Sequence, residues 1–282
     1  MSEWAIDEQE QALLEAADLA VSIIKENKVP FVKEMKVGVQ GRKDFCTWID
    51  REIQKEVVSF LKARYPDHGF LHEEADATIK PWDGESPYFT IDPVDGTQAL
   101  IDNQLHLVCV MIAMVDADGR EVAGCIKYLN GDAYSFGPSH PHVFYTSEGN
   151  RRPLDASPKD SSGLVLLRRP FELYRSLTYK LIEQVDAFRF LKECLGIWTP
   201  RLWQREFCAG VLWHDSAHTP WDMTPIIAMS RRLGYVFLRA TRDGKRFECF
   251  DLKLPTCATI RGYDLVIIHK NDLSLVEPLL RK

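Results

Sequence analysis

No stretch of this sequence stays apolar for the roughly 18 residues that a membrane-spanning helix needs. The longest apolar run, LVCVMIAMV at 107–115, has the length of a buried strand. A basic surplus is also missing. The net charge is −6, which argues against a general nucleic-acid binder, because phosphate backbones are met by clustered lysine and arginine. The arginine pairs Arg151-Arg152, Arg168-Arg169 and Arg231-Arg232 are scattered and read as solvated surface. The 7 cysteines show no CxxC spacing and are odd in number, so reduced thiols in a cytoplasmic setting are expected. Cys109 and Cys125 lie in apolar runs and read as small core residues, and no cysteine reads as a nucleophile. The opening MSEWAIDEQEQ is acidic and lacks the apolar centre of a secretory signal. Internal repeats and low-complexity tracts are absent.

What is present is enough apolar material for a large core: 282 residues, 45% apolar and 11% aromatic, sufficient for one big domain or two intimately packed ones. Leu13, Ala16, Ala20 and Ile23 recur at helical spacing within 8–26. Ile49, Ile53, Val57, Phe60 and Leu61 form a second helical face, with Thr47 as N-cap and Pro66 as stop. The polar stretch VKEMKVGVQGRKD between them reads as a loop or hairpin. After residue 70 strands dominate. LVCVMIAMV and REVAGCIKYL form a hairpin through Asp118-Gly119, and DAYSFG adds a strand. Four prolines between 138 and 162 suggest a connection between halves, 1–150 and 151–282. In the second half, GLVLLRR, YVFLRA, FECF and LVIIH read as strands, 172–188 as a helix, and a short helix is expected near Thr224-Pro225, proline suiting a first helical position. The alternation gives an α/β or layered α+β class.

The chemistry concentrates in acidic residues. TIDPVDGTQAL places Asp92 and Asp95 directly after an apolar strand; HGFLHEEAD supplies Glu73 and Glu74; KDFCTWID supplies Asp44 and Asp50; LWHDS and HTPWDMTP supply Asp215 and Asp222. Each has a structural explanation taken alone. Thr47 and Asp50 have capping-box spacing, Asp222 suits a helix start, and Asp92-Pro93 and Asp95-Gly96 are turn formers. Together they suit a hard divalent cation, which takes oxygen ligands from carboxylates, carbonyls and water. The Val94 carbonyl is a further candidate ligand, and Gly96 and Thr97 offer backbone N–H groups to a phosphate.

DPVDGT at 92–97 resembles the signature of the inositol monophosphatase family. TWID (47–50), HEEAD (72–76) and PWDMT (220–224) accompany it in order, and the resemblance spans roughly residues 8 to 270. It implies a layered αβαβα sandwich and a Mg²⁺-dependent phosphomonoesterase with two to three ions. Glu73, Asp92 and the Val94 carbonyl match the ligands of a first ion; Asp92, Asp95 and Asp222 match those of a second. Glu73 and Thr97 match the pair that orients the attacking water, Asp50 the acceptor for the threonine hydroxyl, and Asp44 a supporting carboxylate. Gly96 and Thr97 match the phosphate donors. Asp215 matches a position that accepts substrate hydroxyls, and Asp95 and Asp222 also face substrate. The resemblance further implies lithium sensitivity and a cytoplasmic homodimer, with no nucleic-acid or membrane partner.

The sequence departs from the family pattern at TPRLWQREFCAG (199–210) and at Arg231-Arg232-Leu233-Gly234. Arg201 and Arg205 are candidates to meet a second anionic group of a substrate. The expected substrate is a small polyol, cyclitol or sugar phosphate, by default inositol monophosphate. Histidinol phosphate, fructose 1,6-bisphosphate and adenosine 3′,5′-bisphosphate are alternatives, as is a catalytically silent regulator that binds a metabolite.

Overall fold

The computed structural model describes residues 5–27, 34–37, 43–74, 76, 78–79, 82–154, 163–185, 187–213, 219–241, 243–254 and 264–280, with the side chains of 37 and 43–45 excepted. Helix α1 (Glu8–Glu26) and helix α2 (Trp48–Arg64) flank an antiparallel hairpin of β1 (Glu34–Val37) and β2 (Lys43–Cys46). A seven-stranded sheet follows in chain order: β3 (Gly69–His72), β4 (Tyr88–Asp95), β5 (Cys109–Val115), β6 (Glu121–Tyr128), β7 (Ala133–Phe136), β8 (Phe144–Ser147) and β9 (Asn150–Pro153). Only the β3–β4 pair is parallel. The short helix α3 (Thr97–Ile101) leaves the end of β4.

The second half contributes β10 (Val165–Leu167), α4 (Ser176–Val185), β11 (Phe188–Phe190), α5 (Leu195–Trp203), β12 (Ala209–Leu212), α6 (Pro220–Arg232), β13 (Tyr235–Ala240), β14 (Phe247–Cys249) and β15 (Leu265–His269). Its six strands lie in the order β11-β10-β12-β15-β13-β14, parallel around β10 and antiparallel elsewhere.

Side-chain alternation explains how the layers stack. On β5, Cys109 and Met111 enter one core with α5, α6 and the second sheet, whereas Val110, Ile112 and Met114 enter another with α1 and α2. Both faces of the strand are buried, so its sequence is apolar at every position. On β15, Leu265 and Ile267 join that central core, and Val266 and Ile268 join a third with α4 and the 3₁₀ segment Lys270–Leu279. The layers are therefore α1/α2, seven-stranded sheet, α5/α6, six-stranded sheet, and α4 with the 3₁₀ segment: the expected αβαβα sandwich. At about 25 cal/mol per Å² of apolar surface, these three cores supply most of the folding drive.

Several sequence expectations are corrected. The proline-rich stretch after 138 holds the hairpin β8–β9, so the first sheet continues past the expected division at residue 150. Helix α6 starts with Pro220 at its first position, and Pro225 lies inside it. The arginine pairs are not mere solvated surface. Arg151 grips the buried Glu10 at 2.6 and 3.0 Å and lies over the Phe144 ring. Arg231 bridges Glu121 and Asp251, and Arg232 covers Phe136. This end of α6 joins the layers, so the departure at 231–234 serves packing. No helix among the described residues is long and apolar enough to cross a membrane.

Candidate active site

Strand β4 is buried along its whole length and ends in the two aspartates. Its register against β5 shifts between Asp92 and Asp95, so the extra residue at this bulge lets both carboxylates turn to the same side. Asp92 Oδ1 accepts from the Val94 N–H at 2.9 Å. Gly96 follows with φ of 103°, and a Cβ there would come within 2.5 Å of the Leu107 carbonyl oxygen. Only glycine makes this turn. Thr97 then opens α3, where the first backbone N–H groups have no partner within the helix.

Asp222 arrives from the other half, in the first turn of α6, where Thr219 Oγ1 donates to its Oδ2. Ligand atoms of Asp92, Asp95 and Asp222 all lie within 4.8 Å of one another. Glu73, just after β3, opens onto the same cleft, which has a volume of about 650 Å³ and is also lined by Val94, Gly96 and Thr97.

The electrostatics are those of a crowded acidic site. Burial pushes the Glu73 carboxyl up to about 8, with Lys36 opposing and the charges of Asp222 and Glu74 adding. Burial likewise raises Asp222 to about 6, assisted by repulsion from Asp95. Asp92 is held well above the carboxylate range by burial and by Glu73, Asp222 and Asp95. Asp95 is raised by burial, against the pull of the Gly196 N–H and Arg168. Such a set of oxygen donors, each penalised for its own charge, fits a hard divalent cation.

Asp50 holds two positions together. Its Oδ2 accepts from the Thr47 N–H at 2.9 Å and from the Thr47 hydroxyl, completing the capping box of α2, while Oδ1 accepts from Thr97 Oγ1 at 3.0 Å. The expected cap and the expected hydrogen bond to the threonine hydroxyl are both present. Thr97 Oγ1 also reaches the Val94 carbonyl at 3.2 Å.

Other candidates lie elsewhere. Arg205 is buried and paired through both terminal nitrogens with Asp272. Arg201 bonds to Glu193 and Glu206. Neither lines the acidic cleft, because a buried guanidinium takes the nearest carboxylate that satisfies it. Trp203 is core and Trp213 donates to the Leu173 carbonyl. Asp215 and the side chain of Asp44 lie outside the described residues.

Sequence reasoning missed several residues at the site. Lys36 on β1 bonds to Glu73 at 2.7 Å and to Glu74. Burial works against the charge on Lys36, but the two glutamates lift its pKa above the usual value. Arg168, Lys192 and Cys194 line the same cleft as the acidic groups. Lys36 sits in a stretch that read only as polar, and the other three carry no motif.

A family model described as "Inositol monophosphatase family" matches residues 6–149. The chain belongs to the inositol monophosphatase family. Among its curated relatives, inositol monophosphatase 3 of Solanum lycopersicum is 32% identical over 102 residues, 36% of this chain and 37% of that protein. The Nus factor SuhB of Xylella fastidiosa is 30% identical over 162 residues, 55% and 54% of the two chains. The chain thus spans about half or less of the length of these relatives. A staphylococcal IMPase-I complexed with products shares the fold with a TM-score of 0.71 at 17% identity, over 97% of this chain and 95% of that one. A structure of an IMPase/NADP phosphatase complexed with Mg²⁺ and phosphate has a TM-score of 0.68 at 19% identity, over 95% and 93%.

Proposed function

We propose that the chain is a metal-dependent phosphomonoesterase acting on a small polyol, cyclitol or sugar phosphate, with inositol monophosphate the first substrate to test. The observation that carries this reading is the convergence of Asp92 and Asp95 from one sheet with Asp222 from the central helices, at a cleft also lined by Glu73 and Thr97.

Asp92, Asp95 and Asp222, with Glu73 and the Val94 carbonyl, would hold the cation, proposed as two to three Mg²⁺. When bound it neutralises phosphate charge and acidifies water. Asp50 fixes the Thr97 hydroxyl, and Thr97 and Glu73 orient the attacking water. The backbone donors of Gly96 and Thr97 position the phosphate. Asp215 is proposed to receive a substrate hydroxyl, and Asp44 to support the site. The resemblance supports lithium sensitivity and a cytoplasmic homodimer. Lys36 supports the same reading, since an ammonium group between Glu73 and Glu74 offsets charge that would otherwise oppose an anionic substrate.

One observation favours substrates with a second anionic group, such as fructose 1,6-bisphosphate or adenosine 3′,5′-bisphosphate: Arg168, Arg169 and Lys192 line the same cleft. Phosphate release should be measured with Mg²⁺ across inositol monophosphate, histidinol phosphate and both bisphosphates. Turnover of at least one substrate is expected, abolished by chelator and by Glu73→Gln or Asp92→Asn, with a loss of roughly a hundredfold or more. A Mg²⁺-loaded protein that releases no phosphate from any of them would leave the silent metabolite-binding regulator as the better reading.

A further inference from the structure

We propose that Cys109, Cys194 and Asp95 form a second cation site, for a thiophilic divalent ion of the zinc or cadmium kind, whose occupation inhibits the neighbouring acidic site. Among the described residues, one ligand atom from each of the three lies within 4.8 Å of the others. A tetrahedral zinc ion, with Zn–S of about 2.3 Å and Zn–O of about 2.0–2.2 Å, places its ligand atoms roughly 3.5–3.8 Å apart, so only small adjustments are needed.

The corner is rich in sulfur. Cys109 is fully buried on β5, with Sγ 3.7 Å from Asp95 Oδ2. Cys194, the residue before α5, donates its thiol to the Leu107 carbonyl at 3.4 Å. A Cβ placed on Gly196 would stand 2.3 Å from Cys109 Sγ, 3.0 Å from Asp95 Oδ2 and 3.0 Å from Met111 Sδ. Absence of a side chain at 196 is what leaves these atoms facing one another. The Asp92, Asp95 and Asp222 group offers oxygen alone, whereas this one offers two thiols and a carboxylate. Magnesium has little affinity for sulfur and a thiophilic ion has much, so the two sites select different metals. Cys194 lines the cleft, which provides a path of entry.

Binding would release two thiol protons to solvent and leave two thiolates and Asp95 on the ion. Inhibition follows from two placements. Asp95 belongs to both clusters, and Cys194 Sγ would lie 3.4 Å from a Cβ on Gly96, the backbone proposed to meet phosphate. The inhibitory part rests on the phosphatase reading; the binding part does not.

The test is a cadmium titration of the full chain in excess Mg²⁺, followed by ultraviolet thiolate-to-cadmium charge transfer, with phosphate release measured in parallel for cadmium and zinc. Cys194→Ser is the deciding variant because its side chain is only partly buried; Cys109→Ser accompanies it. A band saturating at one equivalent is expected, lost in both variants, with the inhibitory concentration raised roughly tenfold to a hundredfold. An unchanged band in Cys194→Ser, as from ions on the remaining cysteines, overturns the site. Equal inhibition of the parent and Cys194→Ser overturns its inhibitory role. Failure of the phosphatase reading would appear separately, as absent turnover before any cadmium is added.

Discussion

Thr97 Oγ1 donates to one oxygen of Asp50 at 3.0 Å while the other oxygen of Asp50 caps α2 through Thr47. A single buried carboxylate therefore joins helix stability to the orientation of a cleft hydroxyl. Thr47→Ala should cost about 1 kcal/mol through the lost cap. Asp50→Ala should cost more, about 1–3 kcal/mol, because buried donors lose their acceptor. Only the second should also lower kcat, by about tenfold or more. Thermal unfolding and steady-state kinetics on the two variants check this; equal kcat losses would refute the division of labour.

The acidic cluster predicts how stability varies with pH. An unperturbed carboxylate titrates near pH 4, whereas burial and repulsion raise Asp222 to about 6 and Glu73 to about 8. A raised pKa means that the folded state keeps a proton the unfolded chain releases. Their stabilising contribution is thus complete below about pH 4 and is lost as pH rises through 6 and 8. With chelator present, Tm should fall between about pH 5 and pH 8.5, and Mg²⁺ should raise Tm more at the upper end, since ligand binding to the folded state stabilises it. Calorimetry with and without the ion checks the sign; an equal Mg²⁺ increment at both pH values would contradict it.

Gly96→Ala tests the turn after β4. The left-handed φ costs a substituted residue about 1–3 kcal/mol, and the added Cβ meets the Leu107 carbonyl at 2.5 Å. Tm should drop and turnover should fall together. Gly84→Ala, at a similar positive φ with nothing within 4 Å of the new Cβ, should lower Tm less and leave kcat close to that of the parent.

Arg205 belongs to the scaffold. Breaking its buried pair with Asp272 should cost about 3–5 kcal/mol, because a carboxylate is left without its partner. Arg205→Ala should therefore unfold at lower temperature while the remaining folded protein keeps its KM. A selective rise in KM for bisphosphate substrates at unchanged Tm would restore the substrate-binding reading.

The sequence revealed those features whose causes are local. Leu265–His269 and Cys109–Val115 read as strands because both faces of each are buried, and Thr47 with Asp50 carried its cap in its spacing. DPVDGT marked the end of β4. What stayed hidden depends on closure of distant segments. Lys36 meets Glu73 across 37 positions and Arg205 meets Asp272 across 67, so neither contact leaves a local signal. The Thr224-Pro225 pair puts the expected start of α6 later than its true start at Pro220, although both prolines are compatible with that helix. Strands β8 and β9 were hidden among prolines, which an outer hairpin tolerates more readily than a central strand.

Asp222 rides on a helix between the sheets, while Asp92 and Asp95 end a strand of the first sheet. The chain must bring together segments more than a hundred positions apart before a cation can be gripped. Under the phosphatase reading, a chain whose two halves have not yet docked lacks the complete carboxylate set and is expected to be inactive.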